Sequence, residues 1–250
     1  MHSVGAFLAL IGTLGLTACG PQARIPPRPI NPVGQSTGDS VTALANRLAP
    51  VLYLQRDETF PLERVVAVVH PTEPVVAYHL LWRDDAHGAW LPLTIPTDEE
   101  LVWVGYDSTG NPTQVWTYWH GAILHTGWRN KGRVLIDVQW GKHGSLPRGI
   151  DENTLPIALS LDSYFLYAWV GTFDILLGRL VRPGPSCFCG SYKRYREFTR
   201  PMDLAGRLDA VVHVIDAKPT LERVFGALYS RKPEWPPGVT GSPYNNPLMP

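Results

Sequence analysis

The sequence predicts a mainly β protein, with a β-sandwich core and peripheral helices as α+β additions. Apolar, β-branched and aromatic residues form short runs such as "VVAVVH", "VVAYHLLW" and "ELVWVGYD", and these residue types favour strands. The turn-forming stretch "STGNPT" separates two such runs, which indicates a hairpin. In "RVLIDVQW", every second residue from Val134 to Trp140 is apolar, as one buried strand face requires.

The amino-terminal 18 residues predict a bacterial signal peptide. The stretch from Val4 to Ala18 is apolar or small, and at roughly 15 residues it is shorter than a membrane span. It ends in Leu16-Thr17-Ala18-Cys19, which resembles the lipobox of bacterial lipoproteins. The resemblance implies cleavage before Cys19 and a lipid such as palmitate on that residue. The protein would then be anchored in the cell envelope, at the outer membrane or at the extracytoplasmic face of the cell membrane.

The composition divides the rest of the chain into three segments. Residues 19–36 are the lipidated cysteine and a Pro-rich tether, because five prolines between residues 20 and 34 favour an extended chain. Residues 37–232 are long enough for a single globular domain. Residues 233–250 are again Pro-rich and are expected to be an arm or a disordered end.

The charge and cysteine content limit the classes of function. The chain has 22 Lys and Arg and 22 Asp and Glu, so no broad nucleic-acid footprint is expected. Two cysteines remain beyond the lipobox, Cys187 and Cys189 in "SCFCG". They could form a disulfide in an oxidising compartment or remain thiols, and alone they make an incomplete metal site.

The elements are predicted in order from periodicity and turn residues. Residues 39–48 have apolar side chains at helical spacing, so a helix is expected there, with Asp39 or Ser40 as its cap and Pro50 at its end. Strands follow within a sheet core from about 51 to 145, and mixed structure follows residue 150. The stretch 220–229 predicts a further helix, with Thr220 as its cap.

Polar and aromatic side chains meet at the ends of two predicted strands. "VWTYWHG" and "QWGKHG" each place a histidine, His120 and His143, before a glycine. Upstream, Asp98 and Glu100 are two residues apart, and so share a face if Asp98 is already in the strand. Carboxylates and imidazoles on adjacent strands could hold a divalent cation or perform acid–base chemistry.

Three stretches resemble the vacuolar-protein-sorting-62-like family and the related necrosis-inducing-protein family. They are "LAPVLYLQRDETFPLE", "TDEELVWVGYDSTGNPTQVWTYWHG" and "RVLIDVQWGKHGSLPRG", within residues 48–149. The resemblance implies a β-sandwich with a polar pocket at one end, which in the necrosis-inducing relatives binds a divalent cation. By motif position, Asp98, Glu100 and His120 would be the metal ligands, and His120 and His143 the catalytic candidates. Glu99 replaces the family's Trp between the carboxylates.

Two hypotheses of function follow. The first is a non-enzymatic, lipid-anchored scaffold that binds an envelope protein, a glycan or a lipid headgroup through surface aromatic residues. The second is a metal-dependent hydrolase, in which a cation would lower the pKa of a bound water and His143 would act as acid or base. No nucleophile elbow or His-Glu-x-x-His motif is present in the sequence. The aromatic residues proposed for the surface are Trp116, Tyr118, Trp119 and Trp128.

Overall fold

Two β-sheets of four and six strands form the part of the chain that the computed structural model describes. Those residues are 38–55, 58, 61–83, 98–119, 122–130, 132–139, 143–150, 198–227, 229 and 231–245. The architecture is mainly β and consistent with a β-sandwich, so the predicted fold class is confirmed. Among the described helices, none is long and apolar enough to cross a membrane. Cys19, Cys187, Cys189 and His120 lie outside the described residues.

Two α-helices and ten strands make up these layers, together with a short 3-10 helix at Pro243–Asn245. The helices are α1 (Asp39–Leu48) and α2 (Lys218–Phe225). The strands are β1 (Val51–Gln55), β2 (Leu62–Val69), β3 (Val75–Trp82), β4 (Glu99–Tyr106), β5 (Pro112–Trp119), β6 (Ala122–Gly127), β7 (Leu135–Val138), β8 (Ser145–Pro147), β9 (Phe198–Asp203) and β10 (Ala210–His213).

The six-stranded sheet has the order β10-β2-β3-β4-β5-β6. Strands β2 to β6 pair antiparallel in sequence, and β10 adds in parallel to β2. The predicted hairpin between β4 and β5 is confirmed. Its turn is held by the carboxylate of Asp107, which accepts hydrogen bonds from the backbone N–H groups of Thr109 and Asn111, at 2.9 Å each. Gly110 supplies the positive φ, at 76°, that the turn needs.

The four-stranded sheet has the order β8-β7-β1-β9, with β1 parallel to β7 and antiparallel to β9. Val134, Ile136 and Val138 are buried in one core, as the predicted alternation of this strand requires. Alternate residues of the strands that face β7 lie in the same core. Helix α1 adds Ala45 and Leu48 to that core. The hydroxyl of Tyr78 donates to the carbonyl of Ala45 at 2.7 Å, which fixes the helix on the sheet.

Both helix caps differ from the prediction. Helix α1 has Gly38 at its N-cap and no side-chain cap. Asp39 lies instead in the first turn, where a negative charge is stabilised by the helix dipole. Helix α2 begins after Ala217, and Thr220 is buried inside it. At the start of the helix, the side chain of Asp216 accepts the N–H of Lys218 at 2.9 Å.

The carboxy-terminal segment covers part of the outer face of the six-stranded sheet. Helix α2 packs against β2, and residues 231–245, here called the C-terminal arm, follow it. Trp235 is fully buried in the arm and donates to the carbonyl of Ile215 at 2.7 Å. From the sheet, Trp103 donates to the carbonyl of Glu234 at 2.8 Å. Of the two expectations for the Pro-rich tail, the arm is the one that the described residues display.

Candidate functional site

Asp98 and Glu100 lie where β4 begins, beside the end of β3. Glu100 is opposite Leu80 in the register, and the N–H of Trp82 donates to the carbonyl of Asp98 at 2.8 Å. Asp98 itself precedes the strand, so strand alternation does not set its direction. Asp98 contacts His143 directly, with His143 Nδ1 and Asp98 Oδ2 2.8 Å apart, and the charge of His143 acts on Glu100. The predicted convergence also includes His120, which lies outside the described residues.

His143 occupies a strained turn after β7. Its φ is +53°, the one positive φ of a non-glycine residue in the described chain, and this region is costly for a side chain with a Cβ. The turn is closed by the N–H of His143 donating to Gln139 O at 3.0 Å, and by the N–H of Gln139 donating to Gly144 O at 2.9 Å. The imidazole then stacks on Trp82, with centroids 4.1 Å apart and planes inclined by 5°.

Two carboxylates flank the imidazole of His143. Nδ1 donates to Asp98 Oδ2 at 2.8 Å, and Nε2 lies 3.5 Å from Glu58 Oε1. The ring is fully buried, and burial alone would lower the pKa of His143. The charge of Glu58 and the hydrogen bonds with Asp98 and Glu58 outweigh that effect and raise the pKa to about 9. His143 is therefore an imidazolium at neutral pH.

Glu100 is paired with a lysine from the C-terminal arm. Lys232 Nζ donates to Glu100 Oε1 at 2.6 Å and lies 5.0 Å from the ring centre of Tyr118. Burial raises the pKa of Glu100 to about 8, against the attraction of Lys232. Burial lowers the pKa of Lys232, but the charges of Glu100, Asp98 and Glu99 and the hydrogen bond to Glu100 together outweigh it, so that pKa is raised. We call these five residues the ionic cluster: Glu58, Asp98, Glu100, His143 and Lys232.

A second buried pair lies on the other face of the sheet. His79 Nδ1 and Glu99 Oε1 are 2.7 Å apart, and both side chains are fully buried. The other oxygen of Glu99 accepts the backbone N–H of Lys232 at 3.1 Å. This pair was not predicted from the sequence, because the partner of a lone histidine in an apolar strand depends on the strand register. The sequence contained one signal of this pair, because Glu99 and Glu100 are adjacent and neighbouring residues in a strand point to opposite faces of the sheet. One carboxylate was therefore to be expected on each face.

The described members of the cluster do not fit a divalent cation. His143 is held between two carboxylates, with one ring nitrogen bonded to Asp98 and the other facing Glu58, and it would have to leave these contacts and release a proton to bind a metal. One oxygen of Glu100 is already bound by an ammonium group. Among the described residues, no group of three or more His, Cys, Asp and Glu is placed to hold a metal ion. The arrangement of these side chains is that of a buried network in which each basic group contacts a carboxylate.

The four aromatic residues expected at the surface divide into two pairs. Trp119 and Trp128 are 1% and 7% exposed, so their assignment to the surface is wrong. Trp119 packs with Leu124, Leu146 and Phe198, because it lies on the inner face of β5, and Trp128 joins the main core. Trp116 and Tyr118 lie on the opposite face of β5 from Trp119 and remain half-exposed.

A groove of about 530 Å³ opens beside Trp116, where the C-terminal arm stops covering the sheet. The Trp116 ring stacks on His125 of β6, with centroids 4.7 Å apart and planes inclined by 11°. His125 Nε2 lies 3.3 Å from Gln114 Oε1. We call this cavity the arm groove, and it is lined by Glu73, Pro74, Val75, Gly105, Tyr106, Thr113, Gln114, Trp116, Ile123, His125, Pro237, Gly238 and Val239.

Comparison of the chain with protein-family models, curated proteins and solved structures found no match in any of the three. The resemblance to the vacuolar-protein-sorting-62-like and necrosis-inducing families therefore stays a hypothesis that rests on the three sequence stretches.

Proposed function

We propose that the protein is a lipid-anchored binding protein of the bacterial cell envelope. In this proposal the lipidated Cys19 holds it at a membrane, the Pro-rich tether separates it from that membrane, and the β-sandwich binds an envelope partner, glycan or lipid headgroup. The observation that carries the proposal is the contrast between the two polar regions. The side chains of the ionic cluster are largely buried and contact one another, whereas the arm groove is open and keeps half-exposed aromatic and polar side chains.

The geometry of the ionic cluster gives less support to the metal-dependent hydrolase. That mechanism needs His143 as a metal-assisted base or acid, with Asp98 and Glu100 as ligands. A protonated imidazole has no free lone pair for the role of base, the Nδ1 proton that an acid would donate is already directed at Asp98, and Glu100 faces a lysine. Open cavities with a few polar groups are the usual sites of ligand binding, and the arm groove has that character.

The anchor is tested by metabolic labelling with a radioactive fatty acid. We expect the wild-type protein to incorporate the label and the Cys19→Ser variant to lose it, because the sulfur and the new amino terminus of Cys19 would carry the lipid. Label retained in the variant would contradict the anchoring part of the proposal.

The binding role is tested in intact cells with a photo-crosslinking residue at Gln114, which is exposed at the arm groove. We expect adducts at Gln114 that disappear when Trp116→Ala is added. The matched control carries the same crosslinker at His213, an exposed residue of β10 at the opposite edge of the sheet. Equal adducts at the two positions, or none at Gln114, would overturn the proposed binding role.

A further inference from the structure

The arm groove has a preorganised aromatic wall. The Trp116–His125 stack fixes both rings, and Gln114 lies beside the imidazole. Gly105 makes room for the indole: a Cβ at that position would lie 3.1 Å from the Trp116 ring, tighter than ordinary van der Waals contact. The absence of a side chain at Gly105 therefore allows Trp116 to lie close against the neighbouring strand.

The opposite wall of the groove comes from the C-terminal arm and the turn before β3. Pro237, Gly238 and Val239 contribute apolar surface from the arm. Glu73 in the turn holds the arm in place, because its carboxylate accepts the N–H of Thr240 at 2.7 Å. The cavity is thus framed by fixed elements, and its volume lies within the roughly 300–1,000 Å³ that is typical of small-ligand sites.

The charge of the lining selects the class of ligand. Among the described residues that line the groove, none is Lys or Arg, and Glu73 is the one carboxylate. Phosphate groups, uronic acids and anionic lipid headgroups would meet a negative charge without a cation to neutralise it. The remaining polar groups are an amide, hydroxyls and an imidazole, which suit a ligand rich in hydroxyl or amide groups.

We propose that the arm groove binds the pyranose rings of an uncharged glycan. The C–H face of a sugar ring would pack on an outward ring face of the Trp116–His125 stack, and its hydroxyl groups would hydrogen-bond to Gln114 and Thr113. A flat apolar face with a polar rim matches aromatic side chains flanked by hydrogen-bonding groups. This inference rests on the proposed binding function and names its ligand class.

Calorimetric titration of the full-length protein in detergent micelles tests the inference. The probes are a tetramer of N-acetylglucosamine, a tetramer of glucose, and anionic vesicles of phosphatidylglycerol. We expect saturable binding of at least one tetrasaccharide and at least a tenfold loss of affinity in Trp116→Ala, which corresponds to about 1.4 kcal/mol. Gln114→Ala, at an exposed position, should weaken binding without affecting the fold, and His213→Ala should leave it unchanged.

The outcomes separate this inference from the proposed function. The glycan assignment is overturned if neither tetrasaccharide binds. It is also overturned if the Trp116→Ala and Gln114→Ala variants both bind a tetrasaccharide as tightly as the wild type does. If only the vesicles bind, the ligand is a lipid headgroup and the glycan assignment again fails. Trp116-dependent crosslinks at Gln114 in cells without sugar binding would leave the binding function standing, whereas loss of both results would refute the two together.

Discussion

The stability of the protein should fall as the pH rises through 9, because His143 loses its proton there. The folded pKa of His143, about 9, is higher than its ordinary value of 6.5. A group whose pKa is raised by folding stabilises the protein fully below the unfolded value and loses that contribution above the folded value. The decline should therefore begin near pH 6.5 and be complete somewhat above pH 9.

The size of this effect follows from the shift. Since one pKa unit corresponds to about 1.4 kcal/mol, the shift of His143 is worth ~3 kcal/mol of unfolding free energy. The group is fully buried, so solvent screening does not reduce this value as it would for a surface pair. Glu100 acts in the same direction between its ordinary value of 4.5 and its folded pKa of about 8, because its raised pKa favours the unfolded carboxylate as the pH rises.

Urea unfolding at constant ionic strength, at several pH values from 6 to 10.5, measures this decline. His143→Gln removes the titrating imidazole, so the difference between the two curves measures the titration of His143 together with its interactions with Glu58, Asp98 and Glu100. We expect the decline from pH 6.5 to 10 to be about 3 kcal/mol smaller in the variant, while His213→Gln, at an exposed position, keeps the wild-type curve. Identical pH dependence in the wild type and His143→Gln would refute the assignment of a buried imidazolium.

Two further predictions concern stability and use the same urea measurement. Tyr78→Phe should lower the unfolding free energy by about 1–2 kcal/mol, because it leaves the buried carbonyl of Ala45 without its hydrogen bond; an unchanged value would mean that water replaces the hydroxyl. Gly144→Ala should cost about 1–3 kcal/mol, since its Cβ would lie 2.8 Å from ring atoms of Trp119. Its control, Gly127→Ala, meets no atom within 4 Å and should change stability by less than about 0.5 kcal/mol; equal costs at the two glycines would contradict the packing argument.

Local periodicity was sufficient to predict most of the sandwich. Strand β5 alternates in sequence, and its exposed and buried residues alternate accordingly in the structure. The helix at 39–48 was predicted from its apolar spacing and ends where predicted, because Pro50 disfavours helical geometry at Ala49, whose ψ is 125°. These features depend on neighbouring residues, which is why one sequence was enough to find them.

The features that escaped prediction depend on contacts between distant segments. Strand β9 pairs with β1 across more than 140 residues of chain, outside the sheet core expected between 51 and 145. The C-terminal arm has a composition typical of an irregular chain, but Trp235 and two backbone contacts fasten it to the body of the domain. Trp119 was wrongly assigned to the surface, because alternation in a sequence indicates which residues share a strand face but not which face is covered by other segments of the chain.

Asp98, Glu100 and His143 of the ionic cluster were predicted from the sequence. The cluster has a structural role, because its members connect separate elements of the fold. His143 follows a strand of the four-stranded sheet, and Asp98 precedes a strand of the six-stranded sheet, so their hydrogen bond ties the two layers at one end. Lys232 likewise ties the arm to β4 through Glu100. Breaking such a buried pair typically costs about 3–5 kcal/mol, because one charge is left uncompensated. The cluster therefore holds in place the sheet and the arm that frame the groove, and breaking it should disturb the groove along with the fold.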